Sequence, residues 1–384
     1  MLKPRKVTKI IATLAKIHNE MTEERDIAGF AAFFAAGILT AGFIPYSQIH
    51  CTGLSASFFL LLSMTLLMSG RFNRLQLAIQ WSGIFSAAFL TGICCWCAAS
   101  VSDISSLHLP SAIEKFSVAA CLRFKAAIAA VPFADPDSEA LLTAFLTGDR
   151  SALSPQLKEA FRQSGAAHLL ALSGMHLGII YAMISKALSV LGNQLIIKRI
   201  RSLVILLFCG IYTLGTGAGE SITRAFLFIL LNESAHLTHR KSRLKEIMMA
   251  ALIIQLTTDP SAIRSVSFQL SYAAMAGIAF IQPVLKGFWP EDGKGPMRKI
   301  WEAASLTISC QLSTAPLAWI YFRSFPINFL ITNLIAIPLT SLLIPLAIVT
   351  VCLHAAGICP DFAIAATEFL ISLLRRSIET IAQL

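Results

Sequence analysis

Charge is what this sequence is shortest of: Asp, Glu, Lys and Arg make up 14% of its 384 residues, against about a quarter in a soluble globular domain. With 56% hydrophobic residues and a mean hydropathy of +0.71, that scarcity excludes a soluble domain and describes an integral membrane protein. Chemical motifs are missing too. No HxHxDH cluster, Walker loop or HExxH occurs, so the residues call for no metal, no cofactor and no ATP hydrolysis or covalent catalysis, and an enzyme is not expected. The nine cysteines are an odd number, and Cys51, Cys94, Cys95, Cys97, Cys209, Cys310 and Cys352 lie in or beside apolar runs. The run CCWC lacks the two-residue spacing of a zinc or redox pair, so neither that chemistry nor a disulfide scaffold is expected. The start MLKPRKVTK leads into a polar stretch rather than a short apolar core, and a cleaved signal peptide is not expected.

What the chain does hold is apolar length. About 20 apolar residues cross the hydrocarbon core as a helix. Such runs occur at Ile27 to Tyr46, Cys51 to Met68, Leu75 to Ala99, His168 to Val190, Leu203 to Gly217 and Ser221 to Leu237. Further runs lie at Glu246 to Thr258, Val266 to Leu285, Ile300 to Phe322, Ile327 to Val351 and Phe362 to Leu374. The fold class they predict is an all-α polytopic membrane protein of about 10 or 11 spans. The formal charge of +10 fits this without nucleic acid, because membrane proteins collect Lys and Arg in cytoplasmic loops. The basic connections are Lys3 to Arg25, Arg71 with Arg74, Lys198 to Arg201, Arg240 to Lys245 and Lys286 to Lys299. They fall on alternate loops, which puts the N-terminus in the cytoplasm and the segment from Val101 to Ala167 outside. Four regions follow: a cytoplasmic segment 1–26, a three-span region 27–100, an extracytoplasmic segment 101–167 and a membrane core 168–384.

The outer segment has apolar residues at helical spacing, broken at Pro110, Pro132, Pro136, Gly148 and Pro155. Amphipathic helices at the membrane interface are expected there. Ser154 followed by Pro155 reads as an N-cap and first helical residue.

Polar residues inside apolar runs are the candidates for chemistry, because an ionisable side chain in a span is costly and tends to face a polar cavity. In AAHLLALSGMHLGII, His168 and His176 are eight apart, on one face of a continuous helix. Gly174 and Gly178 have the GxxxG spacing that lets a neighbouring backbone approach. The bland alternative is that both imidazoles are neutral and hydrogen-bond between helices. Ser173 lacks the GxSxG setting of a nucleophile. In CGIYTLGTGAGESITRAFLFILL, Gly215, Gly217 and Gly219 loosen the end of one span before the next begins. Arg224 falls in the first turns of that next helix, where a positive charge opposes the macrodipole. Either Glu220, four residues earlier, pairs with it, or it meets phosphate in a polar passage. Ser267, Gln269, Ser271 and Tyr272 share another run, and Asn333, Pro338 and Pro345 a last one, where proline frees carbonyls that can line a cavity. A substrate path is therefore expected to draw on His168, Ser173, His176, Glu220, Arg224, Gln269 and Asn333, with Arg162, Arg264 and Arg323 at its edges. Gly174, Gly178, Gly215, Gly217, Gly219, Pro338 and Pro345 serve as packing or hinge positions.

From Arg123 to about Val351 the chain carries, in order, ALLTAFLTGDRSALS, HLLALSGMHLG, SITRAF, TDPSAIRSVSFQLSYAAMAGI and QLSTAPLAWIYF to NLIAIPL. In this succession it resembles the ComEC competence family, inner-membrane proteins proposed to pass single-stranded DNA into naturally transformable bacteria. The resemblance implies a helical pore domain in a bacterial inner membrane. Its partners would be single-stranded DNA, the lipid bilayer, and separate DNA-capture, nuclease and cytoplasmic motor proteins. Full-length members carry an OB-fold near the N-terminus and a C-terminal metallo-β-lactamase-like domain. Neither is expected here, since the polar segment between Ala99 and His168 is too short for the first and the sequence stops near the last span. A transporter of a small anionic solute would use Arg224 and a glycine-broken helix equally well, and a scaffold that recruits uptake proteins is a third reading.

Overall fold

A computed structural model describes residues 28–42, 84–96, 111–192, 194–238, 243–288, 295–323 and 328–383, with only the backbone of 111–114 and 296. The expected span Cys51 to Met68 and the basic loops at Arg71 and Lys294 lie outside these residues. The protein is all-α, with no strand among the described residues. It divides into two compact units, one formed by 1–108 with 242–265 and the other by 109–241 with 266–384.

In the first unit, helix α1 (Ala28–Ala41) lies against α2 (Ile84–Trp96). Two glycines set that approach: a Cβ on Gly37 would strike the carbonyl of Phe89, and one on Gly92 the carbonyl of Phe34. Phe33 stacks on Phe85 with ring centres 5.0 Å apart.

The second unit begins with the segment expected outside the membrane, and its helices start and stop where the local chemistry says they should. After α3 (Ser111–Ala129), the Asp135 carboxylate accepts the Asp137 N–H at 3.1 Å and opens α4 (Pro136–Thr147). Gly148, at φ 77°, closes α4 in the left-handed conformation that glycine adopts without steric cost. The Ser154 hydroxyl accepts the Leu157 N–H at 3.2 Å and opens α5 (Pro155–Gln163), as the Ser-Pro pair predicts. The short α6 (Ala167–Leu170) follows.

The remaining helices are α7 (Gly174–Ser189), α8 (Leu195–Gly215), α9 (Glu220–Leu237), α10 (Leu244–Thr258, in the first unit), α11 (Val266–Lys286), α12 (Pro296–Phe322), α13 (Phe329–Ala355) and α14 (Asp361–Ala382). Among the described residues α11 and α13 are long and apolar enough to cross a membrane. Inside α11, residues Gly277–Ile281 form a π-helical turn, and there a Cβ on Gly277 would strike the Ser309 carbonyl of α12. Proline does not interrupt α13, which runs through Pro338 and Pro345.

One expectation changes. Lys198 to Arg201 were expected in a loop, but they belong to the first turns of α8. Both residue types are good helix formers, and their long stems can lie along the helix while the charged ends reach out. The apolar faces of α4 and α5 have protein partners. Leu141, Phe145, Leu157 and Phe161 form one core with Leu343, Ile344 and Ala347 of α13 and Ile371 and Leu374 of α14. Polar ties reinforce it. Arg375 of α14 pairs with Asp135 at 2.9 Å and Asp137 at 3.0 Å, and the Thr332 hydroxyl of α13 donates to the Ser164 carbonyl at 2.7 Å.

The core therefore depends on Phe161, which is fully buried, and hardly on the exposed Arg162, which pairs with Glu159 at 2.6 Å on the same helix. Phe161→Ala is expected to cost about 3–5 kcal/mol, and Arg162→Ala less than about 1 kcal/mol. Thermal unfolding of the purified protein in detergent measures both.

Candidate functional site at two helix starts

The run expected to span from His168 to Val190 is interrupted. Ala171 and Ser173 are extended, with ψ 132° and 165°, so His168 ends up in α6 and His176 in α7. They do not share one helix face. The cause is local: His176 Nδ1 accepts the Ser173 backbone N–H at 3.2 Å and lies 3.0 Å from the Ser173 hydroxyl. A histidine thereby fills the third helical position, where Glu or Gln usually reaches back to an N-cap. Because Nδ1 accepts, the proton of the neutral ring sits on Nε2. That atom is buried, with no hydrogen-bond partner among the described residues. His168 is exposed, with Nδ1 3.1 Å from the Gly165 carbonyl.

The GDR of LTGDRSALS braces this break from behind. Gly148 lies close under Leu172, and the Arg150 guanidinium donates to the Leu170 carbonyl at 3.0 Å. Asp149 pairs with Lys125 of α3 at 2.6 Å, which holds its carboxyl well below the usual carboxylate range.

The second motif starts α9. Gly217 and Ala218 both have positive φ, 87° and 50°; the alanine is the unusual one, since its Cβ disfavours that region. The Thr223 hydroxyl donates to the Ala218 carbonyl at 3.0 Å and holds the turn. One and a half turns on, Arg224 is 3% exposed. Its Nη2 donates to the Ser267 carbonyl at 2.9 Å and to the hydroxyls of Ser267 and Ser271 at 2.5 and 3.1 Å. Its Nη1 is 3.8 Å from the carboxylate of Glu220, which is 71% exposed. Of the two readings of Arg224, the local pair is the weaker contact and α11 supplies the stronger ones. The Nε of Arg224 has no partner among the described residues.

The two motifs meet. A Cβ on Gly174 would lie 3.2 Å from that of Ala225, and seven residues further along each helix the Tyr181 hydroxyl accepts from Asn232 at 3.2 Å. Helices α7 and α9 are therefore parallel, with their starts side by side. The partly positive N-terminal ends of both macrodipoles then share one location with the Arg224 guanidinium. A Cβ on Gly215, Gly217 or Gly219 would meet nothing within 4 Å, so these glycines border open space there instead of packing on a neighbour. Gly178 is equally open, and of the expected GxxxG pair Gly174 alone makes a close approach.

The other expected residues scatter. Gln269 accepts the Tyr321 hydroxyl at 2.8 Å and is not among the partners of Arg224. Asn333 of α13 has a buried Oδ1 without a partner among the described residues. Pro338 is exposed and Pro345 half-buried. None of the expected edge arginines joins Arg224. Arg162 pairs with Glu159, Arg264 lies over the Trp96 ring in the first unit, and Arg323 caps α12 in an exposed left-handed position. Sequence reasoning missed Glu233, 3% exposed in α9, which accepts the hydroxyls of Tyr181 at 2.7 Å and Ser202 at 2.5 Å. A carboxylate within FLFILLNES was the available signal, hidden by its nearness to the end of the run.

The family described as "Competence protein" matches residues 145–384. ComE operon protein 3 of Bacillus subtilis (strain 168) is 26% identical over 210 residues, 55% of this chain and 25% of that protein. Competence protein ComA of Neisseria gonorrhoeae is 28% identical over 221 residues, 55% of this chain and 30% of that protein. The Escherichia coli (strain K12) protein YcaI is 28% identical over 220 residues, 55% of this chain and 28% of its own length. The chain thus matches less than a third of the length of each of these relatives. No solved structure matches it.

The contacts of Arg224 rank two substitutions. Glu220→Ala removes an exposed partner and should change stability by less than about 1 kcal/mol. Arg224→Met leaves the serines of α11 without the donor that ties them to α9 and should cost about 1–3 kcal/mol. Thermal unfolding in detergent of the two variants beside the parent measures the difference.

Proposed function

From the chain's membership of the competence-protein family, shown by the match over residues 145–384, we propose that it acts in DNA uptake as an inner-membrane channel passing single-stranded DNA into the cytoplasm. The observation that carries the proposal is the side-by-side start of α7 and α9 with Arg224 buried between α9 and α11. A strand with one charge per nucleotide cannot enter hydrocarbon and needs a wet route with positive potential at its mouth. Two helix starts and a guanidinium create that potential without a lining of lysines, and glycines bordering open space leave room for a bulky polyanion. Three expected path residues, His176, Arg224 and Asn333, each keep a buried polar atom without a hydrogen-bond partner among the described residues. Such atoms bond to water or to a passing polar ligand in a working protein.

The chain is a multi-pass protein with a cytoplasmic N-terminus, so that residues 101–167 and the starts of α7 and α9 face the side from which DNA arrives. Its role is passage rather than chemistry. Capture outside, degradation of the second strand and the pull from the cytoplasm belong to separate proteins. Phosphate contacts carry no sequence information, so passage is indifferent to base sequence.

Deleting the gene is expected to leave DNA bound to the cell surface but accessible to added nuclease, whatever its sequence. Nuclease-protected DNA at the level of the parent strain would overturn the channel reading and leave a small-anion transporter as the alternative. Orientation is tested separately with Ala152→Cys, an exposed position, in a variant lacking the native cysteines. It should react with an impermeant thiol reagent added to intact spheroplasts, and reaction only after lysis would reverse the topology.

A further inference from the structure

The end of α7 and α9 away from Arg224 holds a carboxylate that the passage reading does not use. We propose that Glu233, with Tyr181 and Ser202, forms a proton-binding site, taking up and releasing one proton from water at that end of the helix trio. Glu233 is 3% exposed and forms no ion pair among the described residues. An ionised carboxylate so placed is costly unless it is paired or neutralised. Its partners are hydroxyls from two other helices, and a hydroxyl can serve either protonation state. The Tyr181 hydroxyl accepts from Asn232 Nδ2 at 3.2 Å and donates its single proton to Glu233 Oε1 at 2.7 Å. Ser202 meets Oε2 at 2.5 Å. When the carboxylate is charged, the serine donates to it. When a proton from water bonds to Oε2, the new O–H donates to the serine oxygen, and the serine turns its own proton to a carbonyl of the preceding turn, as helical serines do. The group changes from −1 to neutral with each form hydrogen-bonded, and the proton returns to water on release.

The surroundings favour an exchange over a fixed charge. From α7, Tyr181 faces the carboxyl. From α8 come Ser202, the buried Cys209 within electrostatic range of Glu233, and Arg201 within that range of Tyr181. On α9 itself, Asn232 bonds to Tyr181, and His236, three residues on, is exposed. From α11, Tyr272 packs on Phe228, toward the Arg224 end. No arginine or lysine lies within ion-pair distance of Glu233 among the described residues to hold it permanently ionised. A proton bound here, with Arg224 at the other end of α9, would let an ion gradient act on the helices that border the proposed passage, and that consequence alone rests on the channel reading.

The test contains no DNA. The full chain in lipid nanodiscs is titrated while infrared difference spectra follow the carboxylic C=O stretch. The expected result is a band that disappears with rising pH, is absent in Glu233→Gln, and lies at a shifted frequency in Tyr181→Phe, since that variant loses the hydrogen bond from the Tyr181 hydroxyl to the carboxyl. Superimposable spectra from the parent and Glu233→Gln would overturn the proposal. If Glu233→Gln does not fold, Tyr181→Phe decides, and an unshifted band overturns it. Neither result alters the deletion experiment, so a lost proton site and a lost DNA channel remain distinguishable.

Discussion

An apolar helix bundle can hold a polar group only where another part of the chain supplies its partner, and the membrane core here is arranged around the few places where this happens. Helix α9 bears the two buried charges found among the described residues, Arg224 and Glu233. Near its start Arg224 reaches Ser267 and Ser271 of α11, and near its end Glu233 collects hydroxyls from α7 and α8. Between these ends Ile229 belongs to an apolar cluster with Leu177, Ile205 and Cys209. One helix thus carries a cationic end and an anionic end, each tied to different neighbours. A disturbance at either end passes directly to the helices that flank it.

The broken stretch before α7 obeys the same constraint. The break around the extended Ala171 and Ser173 exposes backbone groups that need partners. Ser173 finds one in His176, and the Leu170 carbonyl finds one in Arg150. The segment supplying Arg150 is itself packed into the core through Phe145 and Phe161 and latched by the Tyr212 hydroxyl of α8 on the Leu146 carbonyl at 2.8 Å. The starts of α7 and α9 are therefore held in place by the segment that precedes the membrane core as well as by each other.

Much of this was legible beforehand. Apolar length and the scarcity of charge determined an all-α membrane protein, because hydrocarbon admits no unpaired backbone and a helix pairs its own. Local chemistry determined the ends of several helices: Ser154 with Pro155, Gly148, and the glycines before Glu220 act through their immediate neighbours, which the sequence displays. It also singled out Arg224, since a cation at a helix start has no reason of its own to be there.

Only the tertiary structure decided which partners those residues take. The helical spacing of His168 and His176 implied one face, yet Ser173 and His176 close a cap that breaks the helix between them, a competition that periodicity does not register. Glu220 was the nearer partner of Arg224 in sequence, but Ser267 and Ser271, more than forty residues on, win because they surround the guanidinium in a buried setting while Glu220 remains in the open. Glu233 seemed an ordinary residue near a helix end until Tyr181 and Ser202 were brought to it from two other helices. Periodicity and capping act over a few residues and can be read from the chain, whereas burial and pairing arise where distant segments meet, and no local pattern records that meeting.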